Sequence, residues 1–184
     1  MKQHWIYPLM IVIASSSYGI LSTIVKVAMQ HGFTSAEAIT SQYLFGFFLA
    51  LILFIATQRT LPKVSKSGAF MLIFAGTLTA ITGIVYGQSL NYLPASLAVV
   101  MLFQFTWIGL LIDCILKKRF PSRIEVISLI FLLGGTIFAA GILDVDLSQI
   151  PWQGWALGFA AAFSFAAFLQ VNSYPVKGIT TIGR

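Results

Sequence analysis

Positions 95–116 read ASLAVVMLFQFTWIGLLIDCIL, an apolar run whose one charged residue, Asp113, lies near its end. A helix that crosses a bilayer needs roughly 20 mostly apolar residues, and this run is long enough. It is also continuous, whereas a membrane barrel strand alternates between apolar and polar residues. We therefore predict a membrane-spanning helix over Ala95–Leu116.

Five further segments of this kind flank the run. They are Trp5–Met29, Ala38–Thr57, Gly68–Leu90, Ile124–Leu143 and Gly154–Tyr174. Six spans use about 120 residues, and the connections between them are too short to hold a soluble domain. The predicted fold is an all-α integral membrane protein, a bundle of six transmembrane helices. The apolar pattern continues to Met29, which argues against a cleaved signal peptide.

Composition excludes most other classes of protein. Of the 184 residues, 58% are hydrophobic and 9% are charged, against about 45–50% and about 25% in soluble domains. So few charges cannot cover a soluble globule, and disordered chains are poor in apolar residues. The single cysteine, Cys114, excludes a disulfide scaffold. The net charge of +6 is not clustered on one soluble face, so no nucleic-acid partner is expected.

The basic residues predict the orientation of the bundle, because cytoplasmic connections are rich in Lys and Arg. All the basic residues outside the spans fall in alternate segments, and these residues are Lys2, Arg59, Lys63, Lys66, Lys117, Lys118, Arg119, Arg123, Lys177 and Arg184. The remaining basic residue, Lys26, lies inside the first span. We expect a multi-pass protein of the plasma membrane with both chain ends in the cytoplasm.

Polar residues at membrane depth are the first candidates for function, because burying them in lipid is costly. The predicted lining of a substrate pathway is Lys26, Gln42, Tyr86, Gln104 and Trp107. Each has a structural alternative as well: an interface anchor for Lys26, an aromatic belt for Tyr86 and hydrogen bonds between helices for the glutamines. Asp113 and Lys117 are spaced for an i,i+4 ion pair. The alternative is that Asp113 couples transport to protons.

Small residues four apart mark the sixth span. They are Gly154, Gly158, Ala162 and Ala166, and such a ladder lets helix backbones approach closely within a membrane. The ladder is expected to pack within the bundle or against a partner.

Several motifs resemble one family when they are taken in order. They are Gly19 through Lys26, GFTS at 32–35, YGQSLNYLPASLA at 86–98 and LLGGT at 132–136. Together they resemble EamA-like members of the drug/metabolite transporter superfamily. The chain departs from the family pattern in having Tyr18 before Gly19, and Gln42 or Tyr43 where an arginine is common.

The resemblance implies a fold of ten helices, built as two five-helix repeats of opposite orientation. Residues 1–143 would form the first repeat, and residues 144–184 an outer loop, a sixth helix and a short cytoplasmic end. A second half-transporter or a second copy of the chain would then complete the protein.

The leading hypothesis is therefore a secondary transporter of small organic metabolites or drugs that works by alternating access, in the lipid bilayer and with no cofactor or metal. The alternative is a non-transporting accessory or truncated membrane subunit that associates through helix contacts. An enzyme is not expected, since the sequence has no P-loop and no nucleophile–base or metal-ligand constellation.

Overall fold

The computed structural model describes residues 6–57, 65–139 and 147–173. Within these ranges the chain is helical and contains no strand. The helices are α1 (Ile6–Gln30), α2 (Ser35–Thr57), α3 (Lys66–Ser89), α4 (Ala95–Phe103), α5 (Phe105–Leu116), α6 (Arg123–Ala139) and α7 (Trp152–Ser173), with a short 3-10 turn at Leu147–Gln149.

The structure confirms an all-helical protein in the part of the chain that it describes. Four segments are long and apolar enough to cross a membrane: Ser35–Ala56, Lys66–Ser89, Ala95–Leu116 and Trp152–Ser173. Helix α1 has 25 residues, of which Gly19–Gln30 counts as a shorter apolar segment. Helix α6 has 17 residues, and the rest of its predicted span, 140–143, lies outside the described residues. The count of six spans and the cytoplasmic chain ends thus stay predictions.

Side-chain caps explain where three helices begin. Thr34 and Glu37 form a reciprocal capping box before α2, with Thr34 N donating to Glu37 Oε2 at 2.7 Å and Glu37 N donating to Thr34 Oγ1 at 3.2 Å. Ser122 and Glu125 repeat the arrangement at α6. Ser65 Oγ accepts the backbone N–H of Gly68 at the start of α3. These bonds satisfy N–H groups that a helix start leaves without a partner.

The span predicted as one continuous helix over Ala95–Leu116 is interrupted at Gln104. Gln104 N donates to Met101 O at 3.2 Å, and its side-chain Nε2 donates to Val100 O at 3.1 Å. The side chain thus takes the carbonyl that the backbone N–H would use in an α-helix. Helices α4 and α5 are two parts of one span, joined by a tighter turn.

Helix α7 is the centre of the packing. Its broadest contact is with α3, followed by α5 and α4, and the small-residue ladder lies on its buried side, with Ala162 and Ala166 fully buried. A Cβ atom on Gly158 would lie 2.8 Å from the Cβ of Met101 in α4. The ladder is therefore used in contacts within the chain.

Helix α2 presents apolar side chains on nearly every side. Phe45, Ile52 and Ile55 are 71%, 63% and 68% exposed, and residues 40–53 are all exposed. Exposed apolar area of this extent marks a surface for lipid or for another protein.

Candidate functional site

A cavity of about 150 Å³ lies between α1, α2, α3 and α7. Its lining residues are Leu21, Val25, Ile39, Gln42, Tyr43, Thr79, Thr82, Gly83, Tyr86 and Phe165. The lining is mainly apolar, with an amide, two phenols and two threonine hydroxyls among it. This combination is typical of sites for small organic molecules.

Hydrogen bonds fix the polar part of the cavity wall. The hydroxyl of Tyr43 donates to the backbone oxygen of Thr79 at 2.8 Å, which ties α2 to α3. The hydroxyls of Thr82 and Ser164 lie 3.0 Å apart, and the backbone oxygen of Leu78 accepts from both at 2.8 and 3.0 Å. This second group ties α3 to α7, so the wall is anchored on three helices.

Two glycines of α3 make room for side chains of α2. A Cβ atom on Gly83 would collide with the ring of Tyr43, and one on Gly87 would collide with Ile39. Both α2 side chains line the cavity. The glycines therefore set how closely α2 approaches α3, and through that the size of the cavity.

A second, open groove of about 310 Å³ runs between α5 and α7. It is lined by Phe105, Thr106, Gly109, Asp113, Lys117, Ala166, Leu169, Gln170 and Ser173. Gln170 Nε2 donates to the backbone oxygen of Gly109 at 2.9 Å across the groove floor. From Phe105 to Lys117 the groove covers about 18 Å along α5, at a rise of 1.5 Å per residue.

One aromatic pair connects the lining of the cavity with the lining of the groove. Phe165 lines the cavity and Phe105 lines the groove. Their ring centroids are 4.8 Å apart, and the rings are nearly perpendicular at 87°. The cavity lies toward the α3–α4 end of the bundle and the groove extends toward the α5–α6 end, and their linings meet at this ring pair.

Charged side chains cluster at the α5–α6 end. Asp113 accepts from Lys117 Nζ at 2.6 Å and from Arg119 Nη2 at 2.7 Å. Arg119 also binds both carboxylate oxygens of Glu125, at 2.8 and 2.7 Å. The carboxylates of Glu125 and Asp113 raise the pKa of the Arg119 guanidinium above its ordinary value, so this residue is charged at every physiological pH. Arg119 thereby joins the end of α5 to the start of α6.

The structure brings together some of the predicted pathway residues and separates others. Gln42 and Tyr86 line the same cavity. Lys26 is half-buried on α1 and lines neither the cavity nor the groove. Trp107 Nε1 donates to Gln104 Oε1 at 2.8 Å, so these two residues form a pair of their own where α4 joins α5.

Asp113 and Lys117 lie together in the groove, as an ion pair at 2.6 Å. The ladder residues, in contrast, lie mainly behind the site: Gly154 faces the corner between α3 and α4, Gly158 faces this corner and α4, and only Ala166 reaches the groove lining.

Sequence reasoning predicted Tyr86 but missed the threonine hydroxyls of the cavity. Thr79, Thr82 and Tyr86 follow each other at i, i+3 and i+7 on α3, and residues at this spacing share one face of a helix. That polar stripe could have identified the cavity wall. No comparable sequence pattern marks Ser164, Phe105 and Phe165. Their contacts depend on how α7 crosses the neighbouring helices.

No family model matches the chain, and comparisons with curated proteins and with solved structures find no significant match.

Proposed function

We propose that the chain is a secondary transporter of small organic solutes, or one half of such a transporter. The proposal is carried by one observation: Phe165 of the cavity lining packs against Phe105 of the groove lining. We infer that the two spaces form one path that is closed at this pair. A carrier that works by alternating access exposes its solute site to one side of the membrane at a time, and a closed ring pair would be the barrier, or partition, on one side. The resemblance to EamA-like transporters points to the same activity.

The membrane setting rests on the four long apolar helices and on the exposed apolar side chains of α2. The proposed location is the plasma membrane, which the chain would cross six times, with the α5–α6 end of the bundle in the cytoplasm. In this orientation the groove faces the cytoplasm and the cavity faces outward.

Each side chain of the path has a distinct task. Gln42, Tyr43 and Tyr86 offer an amide and two phenols to a solute in the cavity. Phe105 and Phe165 block passage while their rings are in contact. When one ring rotates, the solute reaches the groove, where Thr106, Gln170 and Asp113 supply polar contacts. These transport steps require solute binding and rotation of an aromatic side chain, and no covalent chemistry.

The partition can be tested by cysteine accessibility in cells and in inverted membrane vesicles. The probe is a membrane-impermeant methanethiosulfonate, applied to Thr106→Cys in a Cys114→Ser background. We expect labelling only from the cytoplasmic side in the parent protein. Phe165→Ala should admit the reagent from outside, because the partition loses one ring. Phe163→Ala is the matched control, since Phe163 is an exposed ring of the same helix.

Transport itself requires a flux measurement. Proteoliposomes with the full chain are tested for saturable uptake of radiolabelled amines, amino acids and nucleosides. Uptake of at least one class is expected, and Gln42→Leu should reduce it while Gln30→Leu, an exposed amide at the end of α1, should not. Unchanged labelling in Phe165→Ala together with no saturable uptake would contradict the proposal.

A partner remains part of the proposal, as a second half-transporter or a second copy. Helix α2 leaves an extended apolar surface uncovered within the described residues. The ladder cannot serve this contact, because it is buried against the α3–α4 corner, α4 and α5. Gln104 gives no reason for a partner either, since both ends of its amide are bonded within the chain. Single-molecule counting in nanodiscs distinguishes a dimer from a monomer.

An accessory subunit without transport activity is the competing proposal, and the same uncovered α2 surface is the observation in its favour. The two proposals differ in flux: an accessory subunit alone moves no solute, yet assembles with a partner.

A further inference from the structure

The turn between α5 and α6, residues 117–123, carries more positive charge than its acidic neighbours can match. Its basic side chains are Lys117, Lys118, Arg119 and Arg123. The two neighbouring carboxylates are already paired, Asp113 with Lys117 and Arg119, and Glu125 with Arg119. Within the residues that the structure describes, Lys118 and Arg123 have no acidic partner. Two positive charges of the turn are thus left for a partner outside the chain.

Neither of these cations lies where the fold alone would favour it. Lys118 has a φ of 50°, the left-handed conformation that glycine usually adopts where a helix ends. Lys118 N donates to Ile115 O at 3.2 Å and Arg119 N donates to Cys114 O at 3.0 Å, so the turn is a Schellman motif with a lysine at the glycine position. Arg123 is the first residue of α6, where the helix dipole disfavours a cation.

An exposed aromatic ring lies between the two cations in the sequence. Phe120 is 95% exposed, and Ile124, which follows Arg123, is 77% exposed. Contact of such side chains with water is unfavourable, whereas the boundary between lipid headgroups and acyl chains accepts apolar side chains beside basic ones. The turn follows directly on the apolar span that ends at Leu116, so in the proposed membrane setting it lies at the bilayer surface.

Ion pairs hold the turn in place from both sides of Phe120. Arg119 Nη2 lies 2.7 Å from a carboxylate oxygen of Asp113 and 2.7 Å from one of Glu125. Ser122 N donates to Glu125 Oε2 at 2.7 Å, which fixes the start of α6. A turn that is already ordered loses little conformational entropy when a ligand binds to it.

We propose that the α5–α6 turn binds anionic phospholipid, with headgroup phosphates on Lys118 and Arg123 and the ring of Phe120 at the boundary of the acyl chains. A guanidinium binds phosphate through two parallel N–H groups, and a lysine ammonium acts as a point charge. Clusters of roughly four to eight basic residues beside a membrane span are typical of such recognition. The inference rests on the proposed membrane setting and is independent of transport.

The test is lipid binding to the full chain in detergent micelles, measured by native mass spectrometry. Phosphatidylglycerol and phosphatidylcholine with identical acyl chains are titrated separately, since both contain a phosphate but only the first has a net negative charge. We expect phosphatidylglycerol to bind at least about tenfold tighter, because two cations near the surface contribute to its affinity. An excess of inorganic phosphate should not displace it, since phosphate has no apolar part to contact Phe120.

Charge variants locate the headgroup. Lys118→Gly and Arg123→Gln should each weaken binding of phosphatidylglycerol by about fivefold. Glycine suits the left-handed conformation at 118, so Lys118→Gly removes the charge without straining the turn, and Lys118→Arg should retain the affinity of the parent. Lys66→Gln is the control for net charge: it removes one exposed cation at the start of α3 and should change the affinity by less than about twofold.

A second pair of variants tests the aromatic contact. Phe120→Ala should weaken binding of phosphatidylglycerol by about twofold to fivefold, because less apolar area enters the bilayer boundary. Phe138→Ala is the matched control. It removes a ring that is 77% exposed but lies at the other end of α6, and it should leave the affinity unchanged.

The results that overturn the proposal are distinct. Equal affinity for the two lipids would remove the site. Equal losses in Lys66→Gln and Lys118→Gly would show that binding follows net charge alone. Displacement of the lipid by inorganic phosphate, with Phe120→Ala unchanged, would assign the two cations to a soluble anion. If Arg123→Gln fails to fold, the Lys118 and Phe120 variants still decide. Lipid selectivity without flux in proteoliposomes refutes transport and keeps this inference, whereas flux without lipid selectivity does the reverse.

Discussion

Gly158 offers a direct test of how α7 is seated in the bundle. A Cβ atom at this position would lie 2.8 Å from Met101 Cβ and 3.2 Å from Met101 Cγ, where ordinary contact begins at 3.4 Å. Met101 Cβ is attached to the backbone and cannot rotate away. In Gly158→Ala, α7 and α4 must therefore separate by several tenths of an ångström. This separation also loosens the packing of Gly154 against Leu93.

The expected decrease in the free energy of unfolding follows from comparison with a glycine that has room for a Cβ atom. Gly76 on α3 has nothing within 4 Å of the position that an alanine Cβ would take, so Gly76→Ala gains only the higher helix propensity of alanine, about 1 kcal/mol in water. Gly158→Ala gains the same propensity but overpacks a close contact, which typically costs about 1–3 kcal/mol. The free energy of unfolding should thus be about 1–3 kcal/mol lower in Gly158→Ala than in Gly76→Ala.

The measurement is unfolding in mixed micelles by titration with SDS, followed by tryptophan fluorescence. Trp155 is a suitable reporter because it lies on α7 and packs against the buried core. Equal stability of the two alanine variants would refute the close approach of α7 to α4, and with it the positions of Phe165 and Gln170 on the proposed path.

Two further predictions concern topology and the Gln104 pair. In a Cys114→Ser background, an impermeant thiol reagent applied outside cells should label single cysteines at His31 and Ser148 and spare those at Ser65 and Ser122; the reverse pattern would invert the bundle. Gln104→Leu should lower the free energy of unfolding by about 1–3 kcal/mol, because it removes the acceptor 2.8 Å from Trp107 Nε1. In a double-mutant cycle with Trp107→Phe the two losses should not add; full additivity in the SDS titration would show that the bond contributes nothing.

The helices could be predicted because a bilayer leaves the backbone few alternatives. Backbone groups in lipid must bond within their own segment, so a long apolar run such as Ala38–Thr57 indicates a helix with little ambiguity. The interruption at Gln104 could not be predicted in the same way. It depends on whether a side-chain amide or the backbone N–H takes the carbonyl of Val100, and both outcomes are compatible with the same sequence.

The candidate site was predictable only in part, because the sequence of one helix does not show which residues of another helix it contacts. Gln42 and Tyr86 stand out as polar groups in apolar segments, and both line the cavity. The pairing of Thr82 with Ser164 joins residues 82 positions apart. The periodicity of a single helix cannot predict such a contact between two helices. Gln104 is expected on the pathway because an amide at membrane depth is costly unless it is hydrogen-bonded. In the structure, however, the indole N–H of Trp107 donates to its side-chain oxygen.

The surroundings of Phe165 indicate how the partition would open. Ser164, next to it, is 7% exposed and bonded to Thr82 and to the backbone of Leu78, and Ala166 on its other side is fully buried. Moving this part of α7 would break the hydrogen bonding of Ser164 to α3 and open a close-packed contact with α3. Rotating the half-buried ring of Phe165 away from Phe105 leaves the Ser164 hydrogen bonding intact and repacks only this ring against its core neighbours. Since side-chain rotation is also far faster than the displacement of a packed helix, we expect the rings to move while the backbone of α7 stays in place.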